Sequence, residues 1–213
     1  QLGAVKIFNG VERQEEFWRR IERAMVQRKL EATVATEGRL ISEGPACRMV
    51  VLNPQPRPES SISAKSESLN NLSVVTELVC REQRVLFTGD IEREALTRLT
   101  HSGNSAHIAL LKVPHHGAKS SLERRWLETI RPAVGVVSAG RRNPYGHPAG
   151  EVLAAYQAVE TQVWRTDRDG AIWADLDLTR QELSMHSTRE WILQPALTSA
   201  DIWSVEQDNL RRL

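Results

Sequence analysis

RVLFTGDIEREALTRLTHSGNSAHIALLKVPHHG, residues 84–117, decides the fold. It opens on a short apolar run that ends in Thr88-Gly89-Asp90. Ile91–Leu99 then reads as a helix and His107–Val113 as a strand. The alternation continues downstream. Ser121–Ile130 reads as a helix, Val134–Ala139 as a strand and Gly150–Val159 as a helix. Gln162–Arg165 and Ala171–Leu176 read as further strands. The runs ALLKV and VGVV are short and almost wholly apolar, as strands covered on both faces must be. Helix and strand in alternation predict sheets with helices packed outside them, an α/β architecture.

Working outward, the chain upstream has a different texture. Ala4–Phe8 reads as a short strand. Val11–Leu30 reads as a helix, because Phe17, Trp18, Ile21, Ala24 and Met25 recur at three-and-four spacing. Ala32–Thr36, Cys47–Leu52, Leu72–Cys80 and Arg84–Thr88 read as extended, with a turn expected at Glu82-Gln83. Asn53–Asn70, rich in Pro and Ser, reads as a long exposed loop. Beyond Met185 the apolar residues Trp191, Ile192, Leu193, Ile202 and Trp203 fit either a docking helix or a crossing into another domain.

Composition narrows the class. The chain has 213 residues, 40% hydrophobic and 26% charged, which excludes a disordered chain and suits a domain with its own core. No apolar run approaches the ~20 residues that a spanning helix needs. The net charge of +1 gives no bulk field for nucleic acid, although a local basic patch stays open. Gln1 in place of Met leads us to expect a fragment or a processed product. Cys47 and Cys80 lie in apolar stretches and are expected as buried free thiols; a disulfide would require an oxidising compartment.

Polar residues collect where the expected strands end. In sheets of this type ligands bind beyond the carboxyl ends of strands. RVLFTG ends in Asp90, ALLKVP in His115 and His116, and VGVVSAG runs into RRNPYGHP, which carries His147. Each has a plainer explanation: a helix cap for Asp90, a satisfied polar contact for one of the paired histidines, a loop residue for His147. Together, and flanked by Gly89, Gly117 and Gly146, they point to a metal site. Carboxylate oxygen and imidazole nitrogen suit zinc, manganese or iron. Such an ion lowers the pKa of a bound water and supplies a hydroxide nucleophile.

LFTGD (Leu86–Asp90), LKVPHHGAKSS (Leu111–Ser121), NPYGHP (Asn143–Pro148) and RTDRDGA (Arg165–Ala171) resemble, in order and spacing, the hydrolase domain of ComEC-type competence proteins. NNLSVV (Asn70–Val75) resembles that family's Asn-rich strand entry. The likeness spans roughly residues 1–180, leaving 181–213 as a tail. It implies a metallo-β-lactamase-type αββα sandwich with a divalent metal, Mn or Zn, in one or two ions. Asp90 would bridge, His116 would act at the metal with His115 beside it, and His147 would face the same cavity. Which histidine fills the last ligand position stays open. Asn71, Ser73, Lys119, Arg165 and Asp169 would line the substrate cleft. The implied activity is a nuclease that degrades one DNA strand during uptake. The domain would be a soluble part of a bacterial inner-membrane protein, with DNA and the parent's membrane channel as partners.

That fold's His-x-His-x-Asp-His cluster does not occur in this sequence. We therefore expect a domain whose N-terminal part is missing, holding metal weakly or not at all and inactive alone. Two other readings follow. One is a degenerate, non-catalytic binding module; the other is a stand-alone hydrolase of small phosphoesters or lactones.

Overall fold

The computed structural model describes residues 12–30, 34–56, 68–101 and 107–189. The strand expected at Ala4–Phe8 and the apolar residues from Trp191 onward lie outside them. α1 (Glu12–Gln27) is the first described element, and Ile21 and Met25 of its apolar stripe are half-buried.

The described strands β1 (Leu40–Glu43), β2 (Cys47–Asn53), β3 (Val75–Cys80) and β4 (Gln83–Phe87) form an antiparallel meander. From β4 onward the chain crosses over through helices. α2 (Arg93–His101) leads to β5 (Leu110–Lys112), α3 (Arg124–Ile130) to β6 (Val134–Val137) and α4 (Gly150–Ala158) to β7 (Gln162–Arg165). β4 through β7 pair in parallel, and the whole makes a seven-stranded sheet in sequential order. A short helical turn, α5 (Thr166–Asp169), follows, then a hairpin of β8 (Ile172–Asp177) and β9 (Glu182–Ser187). The fold is mixed α/β: a seven-stranded sheet with helices in the crossovers of its parallel half, and a separate two-stranded hairpin.

The core lies on the parallel half. Leu111, Val113 and Val137 are almost wholly buried against Leu96 of α2, Trp126 and Leu127 of α3, and Val152 and Tyr156 of α4. The apolar runs do form strands, but burial differs: β6 is buried at three of its four positions, while in β5 only Leu111 is buried and Leu110 and Lys112 are half-buried. The antiparallel half is wetter. β1 is exposed along its length, and buried Glu77 is held by an ion pair with Arg84 on the neighbouring strand.

Several expectations need correction. Val34–Thr36 is not a strand; the edge strand is Leu40–Glu43, whose Gly38-led turn and four exposed residues gave no burial pattern to read. The hairpin turn falls at Arg81-Glu82, one residue early, with Arg81 left-handed (φ 54°). Leu69–Leu72 is a helical turn, so β3 begins at Val75. Residues 182–187, which the sequence reading gave to the tail, form β9. Cys47 and Cys80 are not free thiols: they sit directly opposite each other on β2 and β3 and are disulfide-bonded, with Cα atoms 4.1 Å apart. Cross-strand register, which spacing in sequence does not reveal, brings them together.

Candidate functional site

Parallel pairing sets Phe87, Lys112 and Val136 in one row, so the loops after β4, β5 and β6 all leave the same edge. Asp90 lies three residues past β4. Gly89 turns the chain there with φ 58°, and a Cβ on it would lie 2.7 Å from Ser73 Cβ. Only glycine lets the turn press this close to the β3 entry. Ser73 Oγ in turn accepts the Asp90 backbone N–H at 3.1 Å. From β5, Lys112 Nζ donates to the Gly89 carbonyl at 3.1 Å and stands 4.0 Å from Asp90 Oδ1. Burial pulls the Lys112 pKa below the ordinary lysine value, against the opposing pull of Asp90.

After β5 the backbone does something unusual. His115 (φ 44°) and His116 (φ 57°) are both left-handed, and Gly117 (φ 80°) follows. Left-handed non-glycine residues cost on the order of 1–3 kcal/mol each and gather at functional sites. The turn swings the His116 ring between two loops. Its Nδ1 lies 2.6 Å from the Ser138 carbonyl oxygen, and its Nε2 faces Asp90 Oδ1 at 3.6 Å. A carbonyl only accepts, so Nδ1 carries a proton, and in the neutral tautomer that this bond selects the Nε2 lone pair points toward Asp90. Two lone-pair donors facing one another at this distance are what a shared cation needs. Ser138 is itself braced: Thr166 Oγ1, on α5, accepts Ala139 N–H at 2.8 Å and donates to Ala139 O at 2.9 Å.

His115 turns to the other side. Its Nδ1 is buried 3.3 Å from Glu92 Oε1, near enough for an ion pair when protonated but not aligned as a hydrogen bond. Glu92 also accepts from Asn70 Nδ2 at 3.2 Å and Ser120 Oγ at 3.0 Å. Burial tends to raise the Glu92 pKa. Hydrogen bonds from Ser68, Asn70 and Ser120, with the charge of His115, outweigh it and hold the carboxyl below its usual range.

His147 enters from the loop after β6. Asn143 fixes this loop by accepting His147 N–H at 2.9 Å and donating to His147 O at 2.8 Å. The His147 ring lies 5.9 Å from that of His115 and stacks on Tyr145 at 5.8 Å, with planes 17° apart. Burial, then the charges of His115 and His116, depress its pKa, favouring a neutral ring. The two loops are fitted together: Ala149 N–H donates to Gly117 O at 2.9 Å, and a Cβ on Gly117 would lie 2.6 Å from Pro148 Cβ.

The structure thus brings Asp90, His115, His116 and His147 to one edge, with Asp90 and His116 face to face. The expected substrate-lining residues fare differently. Ser73 touches Asp90 only through the backbone bond described above. Asn71 is fully buried and fully used: its Oδ1 accepts Glu92 N–H at 2.7 Å and its Nδ2 donates to Glu94 Oε2 at 2.8 Å. It shapes the loop and cannot meet a substrate, which corrects the expectation. Arg165 is committed to Asp167 at 2.6 Å, and Asp169 accepts the Arg165 N–H at 2.8 Å; both close the α5 turn. Lys119 remains largely open to solvent, 3.5 Å from Glu151. Sequence reasoning passed over Glu92, Lys112, Ser138, Tyr145 and Thr166. GDIE and YGHP carried a signal for Glu92 and Tyr145 by adjacency; nothing marked Ser138 or Thr166.

Asp90 and His116 suit two positions of a divalent-cation site in donor chemistry and in the fixed Nε2 lone pair. Among the described residues no three or more His, Cys, Asp or Glu side chains converge as a metal-holding group. The pair therefore accounts for part of a coordination shell.

With this arrangement, a mixed α/β domain with an Asp–His pair at the carboxyl edge of a parallel sheet, comparison with known proteins is informative. The chain is 33% identical to ComE operon protein 3 of Bacillus subtilis over 105 residues, 49% of this chain and 14% of that one. It is 30% identical to Recombination protein 2 of Haemophilus influenzae over 105 residues, 49% of this chain and 13% of that one. To the Escherichia coli protein YcaI, described as uncharacterized, it is 29% identical over 133 residues, 62% of this chain and 17% of that one. These are homologues of the ComEC type, matched over about half of this chain and a small fraction of their own length. No protein-family model matches the chain. A crystal structure of a presumed metal-dependent hydrolase from Parabacteroides distasonis superposes at a TM-score of 0.41 with 14% identity, covering 66% of this chain and 60% of that one. So loose a superposition carries no argument.

Proposed function

We propose that the chain is part of a divalent-metal-dependent nuclease domain of a competence protein, acting on DNA during uptake. The single observation that carries this is the facing pair: Asp90 Oδ1 and His116 Nε2 3.6 Å apart, with the Ser138 carbonyl fixing the imidazole tautomer. Asp90 and His116 would hold the cation, and His115 and His147 would flank it. A bound divalent ion supplies a water of lowered pKa and polarises a phosphoester oxygen. The chain's own residues do the positioning. Gly89, Lys112 and Ser73 aim Asp90, Ser138 and Thr166 aim His116, and Glu92 draws His115 aside. Lys119 offers a cation to a substrate phosphate. Further cation ligands would come from outside the described residues. Residues 1–180 remain our proposed extent of the domain, with β9 added to it.

Among the described residues no helix is long and apolar enough to cross a membrane. The Cys47–Cys80 disulfide supports a location on the oxidising side of a membrane, attached to a channel-forming parent. A non-catalytic binding module is the second reading, favoured by the lack of a third converging donor among the described residues.

Cleavage of single- and double-stranded DNA with Mn²⁺, Zn²⁺ or EDTA tests the proposal. It should be run on this chain, on a longer protein carrying a His-x-His-x-Asp-His segment upstream, and on Asp90→Ala in each. Metal-dependent cleavage that Asp90→Ala removes is expected of the longer protein. Metal binding without cleavage in every version would instead support the binding module.

A further inference from the structure

Two clefts at the site share one wall. The smaller, of about 290 Å³, is lined by His116, Ser138 and Asn143 together with Tyr145 and His147. The larger, of about 680 Å³, is lined by His115, Lys119 and Ser120, again with Tyr145 and His147. The wall is the stacked Tyr145–His147 pair. The tyrosine ring runs nearly parallel to that of His147, centroids 5.8 Å apart, and Asn143 holds the His147 backbone at both N–H and C=O. Tyr145 is 79% exposed, so its ring is open to solvent beside His147. Arg141 and Arg142, both exposed, begin the same loop, and Lys119 stands in the larger cleft, loosely paired to Glu151.

An exposed aromatic ring on a loop that also carries cations, with a lysine in the same cleft, is the pattern of a base-stacking platform. We infer that Tyr145 stacks on an unpaired nucleobase and makes this site selective for single-stranded DNA; the inference rests on the DNA-cleaving reading above and names its strand preference. The physical reason is that each base within a duplex has both faces covered by its neighbours. A protein ring gains a base face only where the strand is already single or the base is extruded at a cost. The phosphates that such a strand carries would meet Lys119, Arg141 and Arg142, which attract any backbone alike. Tyr145 therefore supplies the discrimination and the cations supply the common affinity.

The test measures binding by the full chain under chelation, so that cleavage plays no part. The probes are a deoxythymidine oligonucleotide, a duplex of equal length, and an abasic oligonucleotide with the same number of phosphates. Tyr145→Ala should lose roughly ten- to hundredfold in affinity for the thymidine probe. It should bind the duplex and abasic probes as the parent chain does. Tyr145→Phe and Tyr145→Trp, which keep a ring, should retain the single-strand affinity. Equal losses on all three probes, or no loss on the thymidine probe, overturn the inference. Failure of the parent chain to bind any probe overturns it too and removes DNA as the substrate. A selective Tyr145 effect alongside an inert Asp90→Ala would leave this inference standing while the metal-nuclease reading falls.

Discussion

The two halves of the seven-stranded sheet use the same backbone hydrogen bonding and do different work. In β1 to β4 the strands alternate direction, so successive loops leave opposite edges and no two neighbouring connections meet. In β4 to β7 every strand points the same way, and every carboxyl end delivers its loop to one edge. Asp90, the paired histidines, Ser138, His147 and Thr166 all follow such ends. The antiparallel half carries the disulfide and no comparable gathering of donors among the described residues. Chemistry collects where topology stacks loops, and covalent reinforcement lies where the core is thinnest.

This division can be broken experimentally. The largest effect should come from Asp90→Ala in the metal-competent protein, which should lower metal-dependent cleavage by at least about a hundredfold. Its melting temperature should stay close to that of the parent; a collapse of the fold would mean the parallel edge is structural. Next, replacing both Cys47 and Cys80 by Ser should cost about 2–4 kcal/mol in denaturant unfolding. Metal affinity, measured by calorimetry, should not move. If it falls as well, the halves are mechanically coupled.

A smaller effect sharpens the comparison within the parallel half. Thr166→Val removes the hydroxyl that braces Ala139 and, through it, the Ser138 carbonyl behind His116. Metal affinity should drop about tenfold, the usual scale for a residue one step behind a ligand. Thr166→Ser should restore it, which a purely steric role for Thr166 would not allow. The smallest change expected is Asp167→Asn. The hydrogen bond from Arg165, reinforced by its charge, depresses the Asp167 carboxyl despite partial burial. The linked stability is present above the unfolded carboxyl value and lost as pH falls through the depressed folded value. Asp167→Asn should therefore cost about 1 kcal/mol at neutral pH. In unfolding titrations the gap to the parent should close as the pH drops below the ordinary aspartate range.

Much of the parallel half was legible because its central strands are short apolar runs set between helical stretches. Val85-Leu86, ALLKV and VGVV could hardly be anything else, and Asp90, His115, His116 and His147 followed as residues at their ends. What escaped depends on pairing or on backbone shape. The Cys47–Cys80 bond requires the β2–β3 register, and β1 exposes all four residues and so shows no alternation. Left-handed turns at His115 and His116 have no glycine to announce them. Asn71 was read as a substrate contact because its type suits one; only its burial shows that both ends of its amide are spoken for. Thr166 is an ordinary threonine until Ala139 is seen beside it.

The fit of Gly117 against Pro148 limits how this site can be altered. A Cβ at residue 117 would overlap the proline, and the Ala149 N–H is donated to the Gly117 carbonyl. The segments 115–118 and 143–149 therefore behave as one module. Exchanging either loop alone for a segment that puts a side chain at residue 117 or withdraws the Ala149 N–H would create a collision or an orphaned carbonyl. The unit of exchange is the pair.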